Sequence, residues 1–324
     1  MGEDRKCVRI AADGSADFMT LTAAAAAQSP AVPVTFVLGP GIYHERPFLE
    51  LADYRIIGAG QGTTVLSART GGRDPWPGEA KTGTFRTATL FLGGGSAVVA
   101  HLTVENTAGD GADVGQALAV YADAARVCMV DVALLGNQDT LFTSPLPLQV
   151  REPNGFRGPR ENAPRLDTVQ YYRDCTIAGN IDFIFGGANA VFDRCLIRPV
   201  AHRSGTSYIT AACTPVGKPG YLFADCTVQG GSAPGSVYLG RPWRADAAVF
   251  WLDCALSKEV NPAGWDNWSN PANEETAIFG ESGSTGPGAA PQRAFGTVDD
   301  IQTATAAKAM LARFREDFSD SVPE

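Results

Sequence analysis

Arg126-Val127-Cys128-Met129-Val130-Asp131-Val132 runs on to Gln138-Asp139-Thr140, and Gln170-Tyr171-Tyr172-Arg173-Asp174-Cys175 runs on to Ile181-Asp182-Phe183. In both stretches an aspartate that ends an apolar run precedes a second aspartate by eight residues. A chain that repeats a coil and stacks the copies brings residues of equal register to about 4.8 Å, one strand spacing. Asp139 and Asp182 would then lie side by side. Two carboxyl groups that close do not both ionise readily, so one keeps a proton near neutral pH. A neutral acid beside a carboxylate is a catalytic pair.

The repeat continues beyond these two stretches. Ala97–Leu102, Ala190–Cys195, Tyr221–Cys226 and Val249–Cys254 align on the same column, each an apolar run, a polar residue, then Leu, Val or Cys. Cys175, Cys195, Cys226 and Cys254 thus share one position, at spacings of 20, 31 and 28 residues. Such periods indicate a solenoid. Strand-forming runs broken by Gly, Pro and Asn, with almost no amphipathic helix between them, make it a β-solenoid. The expectation is an all-β chain, a right-handed single-stranded parallel β-helix filling residues 1–324 as one domain.

With 324 residues, 44% hydrophobic and 19% charged, the chain can bury a long core, and 36 glycines with 21 prolines suit many turns. A net charge of −9 argues against nucleic acid and anionic membranes as partners. No apolar run is long enough to span a bilayer. Residues 1–7 lack the apolar centre of a secretion signal, which points to the cytoplasm unless a signal has been removed. Seven cysteines pair incompletely, so the column reads as buried thiol filler. His44, His101 and His202 are scattered and no Cys-x-x-Cys occurs, so no metal and no cofactor is expected. His202 follows Cys195 at the offset that separates Cys175 from Asp182, which would stack it near the aspartates.

Short helices are expected to cap the solenoid, whose open ends would otherwise present unpaired strand edges. Thr20–Gln28 is alanine-rich and stops at Ser29-Pro30; residues 301–316 carry apolar side chains at helical spacing and would lie along the outside or close the end. A capped solenoid is expected to be a monomer. Thr143–Thr168, rich in Pro and Gly, leaves and rejoins the coils beside the aspartates and would wall a cleft. Its Arg151, Arg157, Arg160 and Arg165 either grip an anionic substrate or merely solvate the loop.

Gly179-Asn180-Ile181-Asp182-Phe183-Ile184-Phe185-Gly186 resembles the central signature of pectin methylesterases. In the same order along the chain, Ala12–Phe18, Gly41–Glu45, Gln116–Val120, Gln138–Phe142, Tyr238–Trp243 and Gly286–Ala289 also resemble that family. The resemblance implies a β-helical carboxylic ester hydrolase acting on methylated galacturonan, polymer or oligomer, and releasing methanol. It implies Asp182 as nucleophile, giving an acyl-enzyme, and Asp139 as general acid and then base. Gln116 and Gln138 would donate to the oxyanion, and Arg241 would hold Asp182 ionised. Trp243, with Phe183 and Phe142, would contact the sugar. Phe142 stands where the family often has Tyr. The long insertion is unlike plant members and resembles some bacterial ones, which implies a deep site suited to short oligomers.

Each residue also has a plainer reading. Asp182 could cap a turn, Gln116 could be a satisfied interior amide, and Arg241 a structural ion pair. Two carboxylates this close also suit a retaining glycosidase, but two amide donors suit an oxyanion better. No Gly-x-Ser-x-Gly is present, which excludes a serine esterase of that type. An esterase or thioesterase for another substrate, or a non-catalytic carbohydrate-binding β-helix, remains the alternative.

Overall fold

The computed structural model describes residues 5–321. Its strands belong to one sheet of 22, wound on itself, and every named strand pair is parallel. This is a right-handed parallel β-helix, as the repeat predicts. Three stacks of strands run along it. One contains Arg126–Val130, Val169–Arg173, Asn189–Asp193, Tyr221–Ala224 and Ala248–Leu252. The second contains Ala133–Leu135, Thr176–Gly179, Leu196–Pro199 and Thr227–Val228. The third contains Val120–Ala122, Leu141–Thr143, Ile184–Gly186, Thr210–Ala212 and Gly240–Pro242.

A single residue turns the chain between the first two stacks. His101, Asp131, Asp174, Arg194, Asp225 and Asp253 stack there, and all have φ between 52° and 57°. This is the polar position of the repeat. A left-handed residue bends the strand sharply, and short polar side chains tolerate it best. After it the next residue turns into the interior, while the residue before it, as at Ala100, Val130, Ala224 and Leu252, faces the C-terminal helix. Cys175, Cys195, Cys226 and Cys254, the next position, are all at most 1% exposed and unpaired as thiols. Beside them Tyr172, Phe192, Phe223 and Trp251 stack face to face at 4.7, 4.4 and 4.0 Å.

The predicted N-terminal helix spans Leu21–Ala26, capped by the Thr20 side chain, with Leu21 and Ala24 packed on the first coil. The predicted C-terminal helix spans Ile301–Asp317, with Asp300 Oδ2 accepting from Thr303 N at 2.8 Å. It lies along the outside of the first stack and does not close the end: Ala307, Leu311 and Phe314 pack on Tyr171, Val191, Leu222 and Phe250. Residues 144–168 form an irregular loop that enters after Leu141–Thr143.

Candidate active site

The turn from the second stack to the third carries the two aspartates. Asp139 N donates to Ile181 O at 3.0 Å and Leu141 N to Phe183 O at 2.8 Å, so Asp139 and Asp182 are neighbours on successive coils. Both are again left-handed, with φ of 63° and 51°. A tight ladder holds the turn: Asn180 N donates to Asn137 O at 2.9 Å, and Asn180 Oδ1 accepts from Ile181 N at 2.8 Å. Gly179 is sterically required, since a Cβ there would sit 2.3 Å from Phe183 Cβ and 2.6 Å from Asn137 O.

Asp139 and Asp182 are each 7% exposed. Arg241, from the third stack, grips Asp182 with two parallel bonds, Nε to Oδ1 at 2.8 Å and Nη2 to Oδ2 at 2.7 Å. Burial pushes Asp182 above the usual carboxylate range, and Arg241 opposes that push. Burial pushes Asp139 well above it, the Asp182 charge adds to the rise, and Arg241 offers only a partial counterweight. The proton of the pair therefore belongs to Asp139 and the charge to Asp182.

The Arg241 guanidinium lies 3.8 Å from the ring centre of Tyr208 and 3.9 Å from that of Trp268. These contacts add cation–π attraction to the carboxylate's grip on the guanidinium. Sequence reasoning missed both aromatic residues. Tyr208 stacks on Tyr238, three residues before Arg241, and such a pair was the one signal available; Trp268 comes from an irregular segment with no repeat to place it.

Gln116 and Gln138 occupy neighbouring coils, with Ala117 N donating to Gln138 O at 3.1 Å. Both are partly exposed, and neither side-chain amide has a hydrogen-bond partner among the described residues. Gln138 lies against Gly111, where a Cβ would come within 2.2 Å of its Oε1. Trp243 is partly exposed and meets Phe185 and Phe156 edge-on at 5.8 and 6.3 Å.

Two expected contact residues lie elsewhere. Phe183 does not line the cleft. It is 0% exposed in the solenoid interior, because Phe183 and Ile184 both turn inward after the left-handed Asp182 and the usual alternation is broken. Phe142 does point to the cleft side but is 0% exposed, flanked by Tyr121 and Phe185 on the adjacent coils at 4.6 and 5.0 Å and covered by Phe85 at 5.0 Å. It is floor beneath the surface. His202 is also displaced: it meets Asp110 at 3.5 Å and Ser204 at 2.7 Å, not the paired aspartates.

The insertion's arginines mostly brace their own loop. Arg157 pairs with Glu79, Arg160 with Glu50 and Asp123, and Arg165 bonds the carbonyls of Pro147, Arg160, Ala163 and Glu161. Phe156, 7% exposed, carries the loop onto Trp243 and Phe85.

Fold and site together define a parallel β-helix with a buried acid–carboxylate pair, clamped by an arginine and flanked by aromatic side chains and free amides. The chain belongs to the Pectinesterase family, whose model matches residues 7–147 and 165–310. It is 29% identical to Pectinesterase 31 of Arabidopsis thaliana over 87% of this chain and 84% of that one. A pectinesterase of Petunia integrifolia is 28% identical over 87% of this chain and 71% of its own. The fold is similar to that of pectin methylesterase from carrot, with TM-score 0.75, 24% identity and coverage of 96% and 98%. It is also similar to PemA of Erwinia chrysanthemi, with TM-score 0.72, 23% identity and coverage of 92% and 94%.

Proposed function

We propose that this protein is a pectin methylesterase, hydrolysing methyl esters of galacturonate units and releasing methanol. The observation that carries the reading is the division of labour within one pair: Asp182 charged and clamped by Arg241, Asp139 buried and neutral. Family membership supports the substrate class. A pectin methylesterase of the same fold has been solved with a hexasaccharide, at TM-score 0.74 and 23% identity over 94% of this chain.

In this mechanism the Asp182 carboxylate attacks the ester carbonyl carbon. The Gln116 and Gln138 amides donate N–H to the oxyanion, which neither must leave another partner to do. Collapse breaks the bond to the methoxy oxygen, which takes the Asp139 proton and departs as methanol. An anhydride joins the galacturonate carboxyl to Asp182. Asp139, now a carboxylate, takes a proton from water as that water attacks the anhydride. The product departs as the galacturonic acid, which gives its remaining proton to solvent, Asp182 is again a free carboxylate, and Asp139 is again protonated. Trp243 offers an apolar face to a sugar ring. The long loop beside Trp243 makes short methylated oligomers better substrates than polymer.

Methanol release from a methylated trigalacturonate and from methylated polymer tests both parts. Wild type is expected to release methanol and to favour the trimer, and Asp182→Asn is expected to lose on the order of 10⁴-fold in kcat. Full activity in Asp182→Asn overturns the nucleophile; a clear preference for polymer overturns the oligomer reading.

A further inference from the structure

Arg241 has a support of its own, and it begins where the repeat stops. Gly240 bridges to Trp265 and Asp266 N donates to Gly240 O at 3.1 Å, which sets Asp266 beside Arg241 on the adjoining coil. From there the chain leaves the ladder: residues 266–272 belong to no strand or helix. Trp268 and Ser269 are both left-handed, with φ of 57° and 56°. A bulky L-residue is strained in that region, and the strain persists only where neighbouring groups impose it. Here a side chain imposes it. Asp266 Oδ1 accepts from Trp268 N at 2.7 Å, an Asx turn in which a carboxylate does the work that a sheet carbonyl does elsewhere in the coils.

The turn decides where the indole goes. The ring centre of Trp268 lies 3.9 Å from the Arg241 guanidinium, which in turn bonds Asp182 at 2.8 and 2.7 Å. A line of four residues therefore runs from an irregular segment to the proposed nucleophile. Asp266 also carries a charge that reaches the same carboxyl. Burial pushes Asp182 up, Arg241 opposes the push, and the Asp266 charge adds to it. An acceptor that holds a turn and a charge that acts at a distance are separable by substitution.

We propose that Asp266 is a positioning residue: by holding the Trp268 turn it keeps the indole on Arg241, and so keeps the guanidinium in its two-bond grip on Asp182. The inference rests on the esterase reading above and adds to it a residue that acts through two others. Four side chains at position 266 isolate the turn from the charge. Aspartate and glutamate share the charge, but glutamate is too long for the Asx turn. Asparagine and alanine share neutrality, but only asparagine keeps the acceptor. Positioning predicts a difference within each pair, whereas charge alone predicts none.

The test measures kcat/KM for methanol release from methylated trigalacturonate across pH, in wild type, Asp266→Glu, Asp266→Asn and Asp266→Ala, each also combined with Trp268→Ala. Asp266→Glu is expected to fall roughly tenfold below wild type, and Asp266→Ala roughly tenfold below Asp266→Asn, the scale of one lost cation–π contact. The acid limb, set by Asp182, should stand at higher pH in the slower member of each pair, because a loosened Arg241 favours the carboxylate less. Asp139, Tyr208 and Arg241, the other groups acting on Asp182, are the same throughout. With Trp268→Ala both differences should vanish, since the route through the indole is gone. Equal rates and limbs within both pairs, or differences that survive Trp268→Ala, overturn the proposal. The two pairs are independent, so one variant that fails to fold leaves the other to decide. A readout without turnover is the ¹³C titration of the Asp182 carboxyl, assigned by its loss in Asp182→Asn. It should follow the same order, and identical titrations within each pair overturn the positioning role. Wild type that releases no methanol would instead sink the esterase reading, with the titration still deciding what Asp266 does.

Discussion

Asp139 and Asp182 both occupy left-handed backbone positions, at φ of 63° and 51°, where an L-residue is strained. The strain and the burial are maintained because the turn aims both carboxyl groups at one point. This has a sign that can be measured. The folded pKa of Asp139 lies well above its unfolded value, through burial first and the Asp182 charge second. A raised carboxyl contributes its full stability below the unfolded pKa and loses it as pH rises through the folded one. Asp139→Asn removes that loss, so it should raise Tm at pH 8 by on the order of 1 kcal/mol, about 2–4 °C, and by less at pH 4.5. Methanol release should vanish in the same variant. A Tm that falls at both pH values would show that the site does not carry this cost. For turnover the two groups set opposite limbs: activity is lost on the acid side as Asp182 protonates and on the alkaline side as Asp139 ionises. Tyr208 acts on the acid limb through Arg241. Tyr208→Ala should loosen the clamp, raise the Asp182 pKa further and move the acid limb to higher pH, with roughly tenfold lower kcat/KM, whereas Tyr208→Phe keeps the ring and the limb. An unmoved limb in Tyr208→Ala would reduce Tyr208 to packing.

Elements differ in how far their placement could be read beforehand. Apolar spacing in residues 301–316 was enough to expect a helix, and the repeat column was enough to expect stacked strands. The helix's berth was not legible, because it depends on a residue at the other end of an ion pair. Arg315 grips Asp193 with bonds of 2.8 and 2.7 Å and reaches Asp225 at 3.0 Å, tying the helix to two coils. Asp193 is fully buried; burial pushes its pKa up, but the Arg315 bonds win and hold it below the usual value. Its contribution is therefore present above the unfolded pKa and lost as pH falls through the folded one. Arg315→Ala should cost about 1–2 kcal/mol at pH 7, discounted for the half-exposed arginine, and less at pH 3. Urea unfolding at the two pH values checks it, and an equal loss at both would assign the effect to packing alone. Phe183 marks the opposite failure of sequence reading. Alternation predicts which face a strand residue takes, but a left-handed corner resets the phase, and nothing in Asp182-Phe183-Ile184 reveals on which side the count resumes.

On the scale of the whole molecule, what the sequence carried was register. Asp139 with Asp182, and Cys175 through Cys254, could be superposed because a solenoid keeps its coils in step. Trp268 escaped notice because it reaches Arg241 from an irregular segment, where no period survives. The same regularity that aligns the thiols also seals them. Cys7 is exposed, while Cys128, Cys175, Cys195, Cys213, Cys226 and Cys254 are buried and unpaired. In native protein one sulfhydryl should react with a chromogenic disulfide at once and six should stay silent until their coils part. Six early equivalents would mean that the interior breathes. Pulsed alkylation during slow denaturation, read by peptide mass, would then record the sequence in which the layers come undone, so that the molecule serves as its own chronometer of dismantling.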